Sequence, residues 1–422
     1  MWDTVGGHTA LSTQMRHPMR YFGHPCLSIC PPALVALALA ACDPAPAPPP
    51  DPRHAALDRA VGALVAEHGI MTAGVGLIED GALVWAGYYG LQAPDVAASR
   101  TTQFDIGSIT KVVAAETVLR LADRGALSLD EPMGAHWVDP DLRGNPRVMA
   151  LTPRMALTHT TGFPNWRNQT ADGRLRFLND PGTAYGYSGE GFDYLARFVA
   201  AKLDRPFPDL VRAEVFAPLG LENDAFAFRA DNLDTVARSV DETTGAFDTR
   251  WRYHCLIAFN MCPEDGAYSA ARDMAITVEG LAAILISVMN GDGYGAALAA
   301  DRNRVQSVKD RALVACDPPG ADGCPTAQGY GLGWEVLDYG DAALLSHGGS
   351  DVSSLSQAAF HTGTRDGLIV LLNAAKLPAL RAMPDILEAL APGTPLAGQY
   401  RGWLRYEEAL LRSRQQAGGG PG

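Results

Sequence analysis

Phe104-Asp105-Ile106-Gly107-Ser108-Ile109-Thr110-Lys111 opens a helix that carries a serine and a lysine one turn apart. From Ser108 to Arg124 the apolar residues Val112, Ala115, Leu119 and Ala122 recur at helical spacing, and Gly125 is a helix stop. Ser108 and Lys111, three positions apart, therefore share a face. A serine hydroxyl is a weak nucleophile until a neighbour takes its proton. A lysine takes it only when burial or nearby positive charge has lowered its pKa. The start of a helix also offers backbone N–H groups to a developing oxyanion. A capping serine beside a solvated lysine has the same spacing, so this pair needs companions.

Two companions stand further along. Tyr187-Ser188-Gly189 lies in the glycine-rich turn Ala184–Gly191, directly before another helix. A tyrosine close to a lysine can shuttle a proton, because the ammonium favours the phenolate. His347-Gly348-Gly349-Ser350 follows a short strand, and glycines there let a substrate backbone lie along the strand edge. Taken as structure alone, the first is an aromatic plug in a loop and the second a strand-end turn. His159, in Thr158-His159-Thr160-Thr161-Gly162, invites a Ser-His pairing, but neither G-x-S-x-G nor H-E-x-x-H occurs in the chain.

Around these motifs the hydrophobic period changes twice. Ala55–His68 reads as an amphipathic helix, and Ala73–Glu79 and Ala82–Tyr89 flank Asp80-Gly81 as a hairpin. Helices are expected near 153–158, over Phe192–Leu203 and over Ala271–Met289. Four strands in meander order follow: Gly331–Leu337, Ala342–Ser346, Ser354–His361 and Leu368–Asn373, with a helix near 379–391. The pattern predicts an α+β fold. One antiparallel sheet is built from N- and C-terminal segments and flanked by helices, with a mainly helical lobe inserted. A cleft between sheet and lobe is the natural place for a site.

The order Ser-x-x-Lys, Tyr-Ser-x, His-Gly-Gly resembles the penicillin-recognising serine hydrolases: class C β-lactamases, D,D-peptidases and related esterases. Leu151-Thr152-Pro153-Arg154, Leu157–Gly162, Gly331-Leu332-Gly333-Trp334 and Ser346-His347-Gly348-Gly349 carry the resemblance further, over about 54–390. It implies that Ser108 is acylated, that Lys111 and Tyr187 exchange its proton, and that the backbone N–H groups of Ser108 and Ser350 hold the oxyanion. His347, Gly348 and Gly349 would line the substrate. No metal or organic cofactor is implied, and the segment holding His159 is structural in that family. Two positions depart from the pattern. His347 stands where a lysine is usual, so a permanent cation becomes a group of pKa ~6.5 that acidic neighbours could raise. Gly189 stands where an asparagine helps hold the substrate amide. The expected activity is hydrolysis of small esters or amides, as an esterase or peptidase. A β-lactamase or D,D-carboxypeptidase is the alternative, and a penicillin-binding sensor with little turnover the second.

Composition sets the outer bounds. The chain has 422 residues, 47% hydrophobic and 19% charged, a globular balance rather than a disordered one. A net charge of −13 argues against a nucleic-acid partner. No apolar run reaches the roughly 18–20 residues of a membrane span. The front end has its own logic. Arg16 and Arg20 precede the apolar run Ala33–Ala41, which ends in Leu39-Ala40-Ala41-Cys42, similar to a bacterial lipoprotein cleavage box. Residues 1–42 are thus expected to be a signal peptide with lipid attachment at Cys42, and 43–53 a proline-rich tether. Residues 54–395 form the hydrolase domain, and 396–422 a terminal helix and frayed tail. The protein is then exported and anchored in the cell envelope by a lipid. In that compartment the close pairs Cys255/Cys262 and Cys316/Cys324 suggest two disulfides. A metal site is the competing possibility, but no histidine stands at finger-like spacing beside either pair.

Overall fold

The computed structural model describes residues 51–222, 226–228, 234–248, 268–309 and 324–418. Asp51 caps the first helix, α1 (Pro52–Glu67), by accepting from the Arg53 N–H. Pro52 and Arg53, which the sequence assigns to the tether, form the first turn of this helix, with Pro52 as its first-turn proline; residues 43–50 lie outside the described residues. β1 (Thr72–Glu79) and β2 (Ala82–Ala93) form the hairpin, with Asp80 and Gly81 both at positive φ. β3 (Val96–Ala97) pairs back on β2, and β4 (Phe104–Asp105) leads through a short 3-10 turn into α2 (Thr110–Asp123). The inserted region holds α3 (Pro153–Leu157), α4 (Gly189–Leu203), α5 (Phe207–Val211), β5 (Phe226–Phe228), β6 (Met274–Ile276), α6 (Val278–Asn290) and α7 (Ala296–Asn303). Six strands follow: β7 (Ser307–Val308), β8 (Ala327–Tyr330), β9 (Glu335–Asp338), β10 (Ala343–Ser350), β11 (Ser354–His361) and β12 (Gly367–Asn373). Two helices, α8 (Lys376–Leu390) and α9 (Pro395–Gly418), come last.

Nine strands make one antiparallel sheet in the order β3-β2-β1-β12-β11-β10-β9-β8-β7. The two ends of the domain meet at its centre, where β1 pairs β12 from Thr72↔Asn373 to Ile78↔Gly367. Both faces are covered. Along β12, Leu368, Val370 and Leu372 enter the core formed with α1, α8 and α9, while Ile369 and Leu371 enter the core beneath the inserted lobe. That alternation is the period of a strand buried on both sides.

Three sequence expectations need correction. Ala271–Met289 is not one helix: Met274–Ile276 pairs with β4 and β5 in a second, three-stranded sheet, and α6 begins only after Thr277. The Thr277 hydroxyl accepts from the Gly280 N–H at 3.0 Å, a cap that an unbroken apolar run conceals. Gly331–Leu337 is not one strand: it is the turn after β8 and the first three residues of β9. Gly333 has φ +83°, and a Cβ on Gly331 would meet the Arg302 carbonyl oxygen at 2.0 Å, so residues 331–334 form the link between β8 and β9. α2 is buried nearly all round, not on one face; even Lys111 and Glu116 are fully enclosed.

Candidate active site

Glycines at both contact points let the Ser108 turn sit against the sheet. Gly107 has φ +48°, and a Cβ there would stand 2.9 Å from the Ser350 backbone nitrogen. A Cβ on Gly349 would stand 1.9 Å from the Ile106 carbonyl oxygen. That carbonyl accepts from the Ser356 hydroxyl at 2.8 Å, and the Gly107 N–H donates to Asp105 Oδ1 at 2.8 Å. Main chain thus packs on main chain, and Ser108 comes to lie beside Ser350 at the end of β10. β9 stops short of this end of β10. β9 pairs with it only from Ala343 to Ser346, leaving the β9-facing edge of His347–Ser350 unpaired by that strand.

Lys111 Nζ lies 3.1 Å from Ser108 Oγ and donates to the Ala271 carbonyl at 3.0 Å. The side chain is fully buried. Burial lowers its pKa to about 7, Arg272 adds to the lowering, and the charges of Asp193 and Asp351 oppose it. The amine stands 4.8 Å from the centre of the Tyr187 ring. Tyr187 moves the opposite way: desolvation raises its pKa, outweighing a hydrogen bond with Ser108, so the phenol keeps its proton. Ser108, Lys111 and Tyr187 are therefore brought together as the sequence predicts.

His159 and His347 flank this group without joining it as acids or bases. His159 packs on Tyr187 with ring centres 4.3 Å apart, and its Nδ1 accepts from the Ser188 N–H at 3.1 Å. Burial, and then the charge of Lys111, hold its pKa well below the ordinary value. It braces the turn that carries Tyr187. His347 is 2% exposed, and its Nδ1–H donates to the Gly348 carbonyl at 2.8 Å. Burial lowers its pKa to about 3, and Lys111 adds to the effect. His347 is thus a neutral imidazole; the expectation of a group titrating near 6.5 fails because the strand end is enclosed.

The sequence did not single out several groups that shape the site. The Ala271 carbonyl is held by a chain of contacts: the Asp193 carboxylate accepts from Ser269 Oγ at 2.8 Å, and Ser269 Oγ accepts from the Ala271 N–H at 3.2 Å. Tyr330 completes the ring cluster, 4.6 Å from His159 and 6.0 Å from His347. Trp166 fills the space beside Gly189, and Arg272 lies 5.7 Å from its ring. An aromatic or an acid at these positions has no motif; only the apposition of α4 with the loop before β6 gives them a place. Among the described residues no cluster of His, Cys, Asp or Glu is arranged to hold a metal ion. Cys324 is in a disulfide. Cys42, Cys255, Cys262 and Cys316 lie outside the described residues.

Known proteins place this arrangement. The chain is 23% identical over 321 residues to the D-alanyl-D-alanine-carboxypeptidase/endopeptidase AmpH of Escherichia coli K12, covering 69% of this chain and 76% of that protein. The octameric penicillin-binding protein homologue from Pyrococcus abyssi superposes with a TM-score of 0.61 at 18% identity, over 81% of this chain and 78% of that one. EstCE1, a hydrolase with promiscuous acyltransferase activity, superposes with a TM-score of 0.61 at 18% identity, over 80% and 98%. These two likenesses are of fold. The Beta-lactamase family model matches residues 57–391, which span the sheet, the lobe and every residue around Ser108. This chain belongs to the beta-lactamase family of serine acyl-transfer hydrolases.

Proposed function

We propose that the protein hydrolyses small esters or amides, as an esterase or peptidase, through an acyl-enzyme on Ser108. The observation that carries this is the buried Lys111 amine 3.1 Å from Ser108 Oγ, with a pKa lowered to about 7. Lys111 Nζ takes the hydroxyl proton as Oγ bonds to the substrate carbonyl carbon. The carbonyl oxygen becomes an oxyanion facing the backbone N–H groups of Ser108 and Ser350. The bond to the leaving group then breaks, and the proton passes to it from the Lys111 ammonium by way of the Tyr187 phenol. Water, deprotonated by the same amine, attacks the acyl carbon and frees Ser108. The edge of β10 that β9 leaves unpaired at His347–Ser350 suits an extended substrate.

The setting of this activity is part of the proposal. The order of Arg16 and Arg20, the apolar run 33–41, Cys42 and the proline-rich tether supports export and a lipid anchor on Cys42. The disulfide at Cys324 supports an oxidising compartment, with Cys316 as its nearest partner in sequence and Cys255–Cys262 as a second pair. Among the described residues no helix is long and apolar enough to cross a membrane.

Intact mass after exposure to a fluorophosphonate tests the reaction. One adduct is expected on the wild type and none on Ser108→Ala, together with repeated turnover of a p-nitrophenyl ester. A label retained by Ser108→Ala would overturn the assignment. A single burst without turnover would make the protein a sensor.

A further inference from the structure

Gly189 and Trp166 occupy one another's space. A Cβ on Gly189 would stand 2.4 Å from indole Cη2, 2.6 Å from Cζ3 and 2.7 Å from Cζ2. The six-membered ring therefore takes the volume of any side chain at 189. It is held there from the next residue. The Arg167 guanidinium pairs with Glu190 at 2.7 Å and Asp139 at 2.9 Å, and the Arg167 N–H donates to Glu190 at 2.8 Å. The first N–H groups of α4 are also spent. Gly189 donates to Asn165 Oδ1 at 2.9 Å and to the Asn165 carbonyl, and Glu190 donates to that carbonyl at 3.1 Å.

Two groups of side chains approach the Lys111 amine. One is Tyr187, whose ring centre is 4.8 Å from Nζ, with the His347 ring 6.3 Å beyond it. The other is Trp166, with Lys111 Nζ 5.8 Å from its ring, and Arg272, which stacks on Trp166 and reaches Asp351 at 3.4 Å just beyond Ser350. Trp166 is only partly buried.

We propose that the acyl group lies against Trp166, that Trp166 is therefore the specificity-determining residue for it, and that the substrates are esters or amides of apolar aliphatic or aromatic acids without an α-acylamino substituent. This rests on the Ser108 acyl-enzyme. An α-acylamino group would set an amide N–H and carbonyl against the indole with no partner, and a polar group buried unpaired is selected against by about 10- to 10³-fold.

The test compares kcat/KM for two p-nitrophenyl esters that differ only in that substituent: 3-phenylpropanoate and N-acetylphenylalaninate, the latter as both enantiomers. The wild type is expected to prefer the former by ~30-fold or more. Trp166→Ala should cut the preference to within ~3-fold by raising the rate on the acylamino ester. Gly189→Asn should fold or turn over poorly alone and recover in the Trp166→Ala background. Equal wild-type rates, or a Trp166→Ala that slows both esters in parallel, would overturn the proposal. If the alanine variant fails to fold, Trp166→Gln replaces it: a narrowed preference supports the proposal, and a parallel loss on both esters overturns it. Fluorophosphonate labelling distinguishes the two failures. A wild type that labels but does not discriminate refutes the specificity alone, whereas one that does not label refutes the acyl-enzyme beneath it.

Discussion

At the Ser108 turn, the main chain of Ile106 and Gly107 lies so close to that of Gly349 and Ser350 that a Cβ on either glycine would meet a backbone atom, and the Ser356 hydroxyl bonds the Ile106 carbonyl. Across the cleft, the Tyr187 turn is held by rings: His159 at 4.3 Å, and Tyr330 and His347 at 6.1 and 6.3 Å. The first wall has no room for even a methyl group at Gly107 or Gly349, so the nucleophile's position is fixed by close main-chain packing. The second can trade one aromatic for another and keep its shape. A fold built this way can change what it accepts without disturbing the oxygen that reacts, and Trp166 beside Gly189 is such a change.

The largest effect expected is at the amine that spans both walls. Lys111→Met should lower kcat by about 10²–10⁴. It should also stabilise the fold by ~1–4 kcal/mol at pH 7 or below, because a buried amine gives way to a buried thioether. The sign follows from linkage. Lys111 titrates at about 7 when folded and near 10.5 when unfolded, so between those values the unfolded chain holds the extra proton. Wild-type stability then rises with pH across that window, and the advantage of Met shrinks. Denaturant titrations at pH 6, below the window, and pH 9, well inside it, measure the change; an advantage that grew with pH would contradict the burial argument.

Gly349→Ala comes next and attacks the rigid wall. Its Cβ would meet a backbone oxygen at 1.9 Å, so the strand or the Ser108 turn must move. We expect a loss of roughly 10²-fold in kcat and ~1–3 kcal/mol in stability. A variant within threefold of wild type would show that the turn is softer than its contacts imply. Smaller again is the effect of pH. With the neutral Lys111 amine as base, kcat/KM should fall tenfold per unit below about 7. Because His347 already titrates near 3, His347→Gln should leave that midpoint in place. A midpoint displaced by a full unit would return His347 to the titrating group. The smallest effect belongs to the aromatic wall: Tyr330→Phe keeps the ring and should stay within ~3-fold of wild type in turnover.

The order of these effects mirrors what the sequence discloses. Ser108, Lys111, Tyr187 and His347 are legible because each lies in a short motif whose chemistry is local. The strands of the terminal meander are legible as short apolar runs bounded by turn residues; Leu368–Leu372 is apolar throughout because both faces of β12 are buried. The Ala271 carbonyl that holds Lys111 is a main-chain group with no side-chain signature, and Asp193 acts on it only through Ser269. The neutral state of His347 depends on enclosure, which comes from elements distant in sequence. Gly189 reads along the chain as a lost hydrogen-bonding residue; in three dimensions it is the room that Trp166 requires.

β1 takes its two neighbours from opposite ends of the chain, β2 next to it and β12 nearly three hundred residues on. Its second edge cannot be satisfied until Asn373 has left the ribosome, and partial chains expose an unpaired strand for most of synthesis. Such long-range closure makes folding slow and late. A chain truncated before β12 leaves β1 and β11 without the strand that joins the two ends of the domain into one sheet.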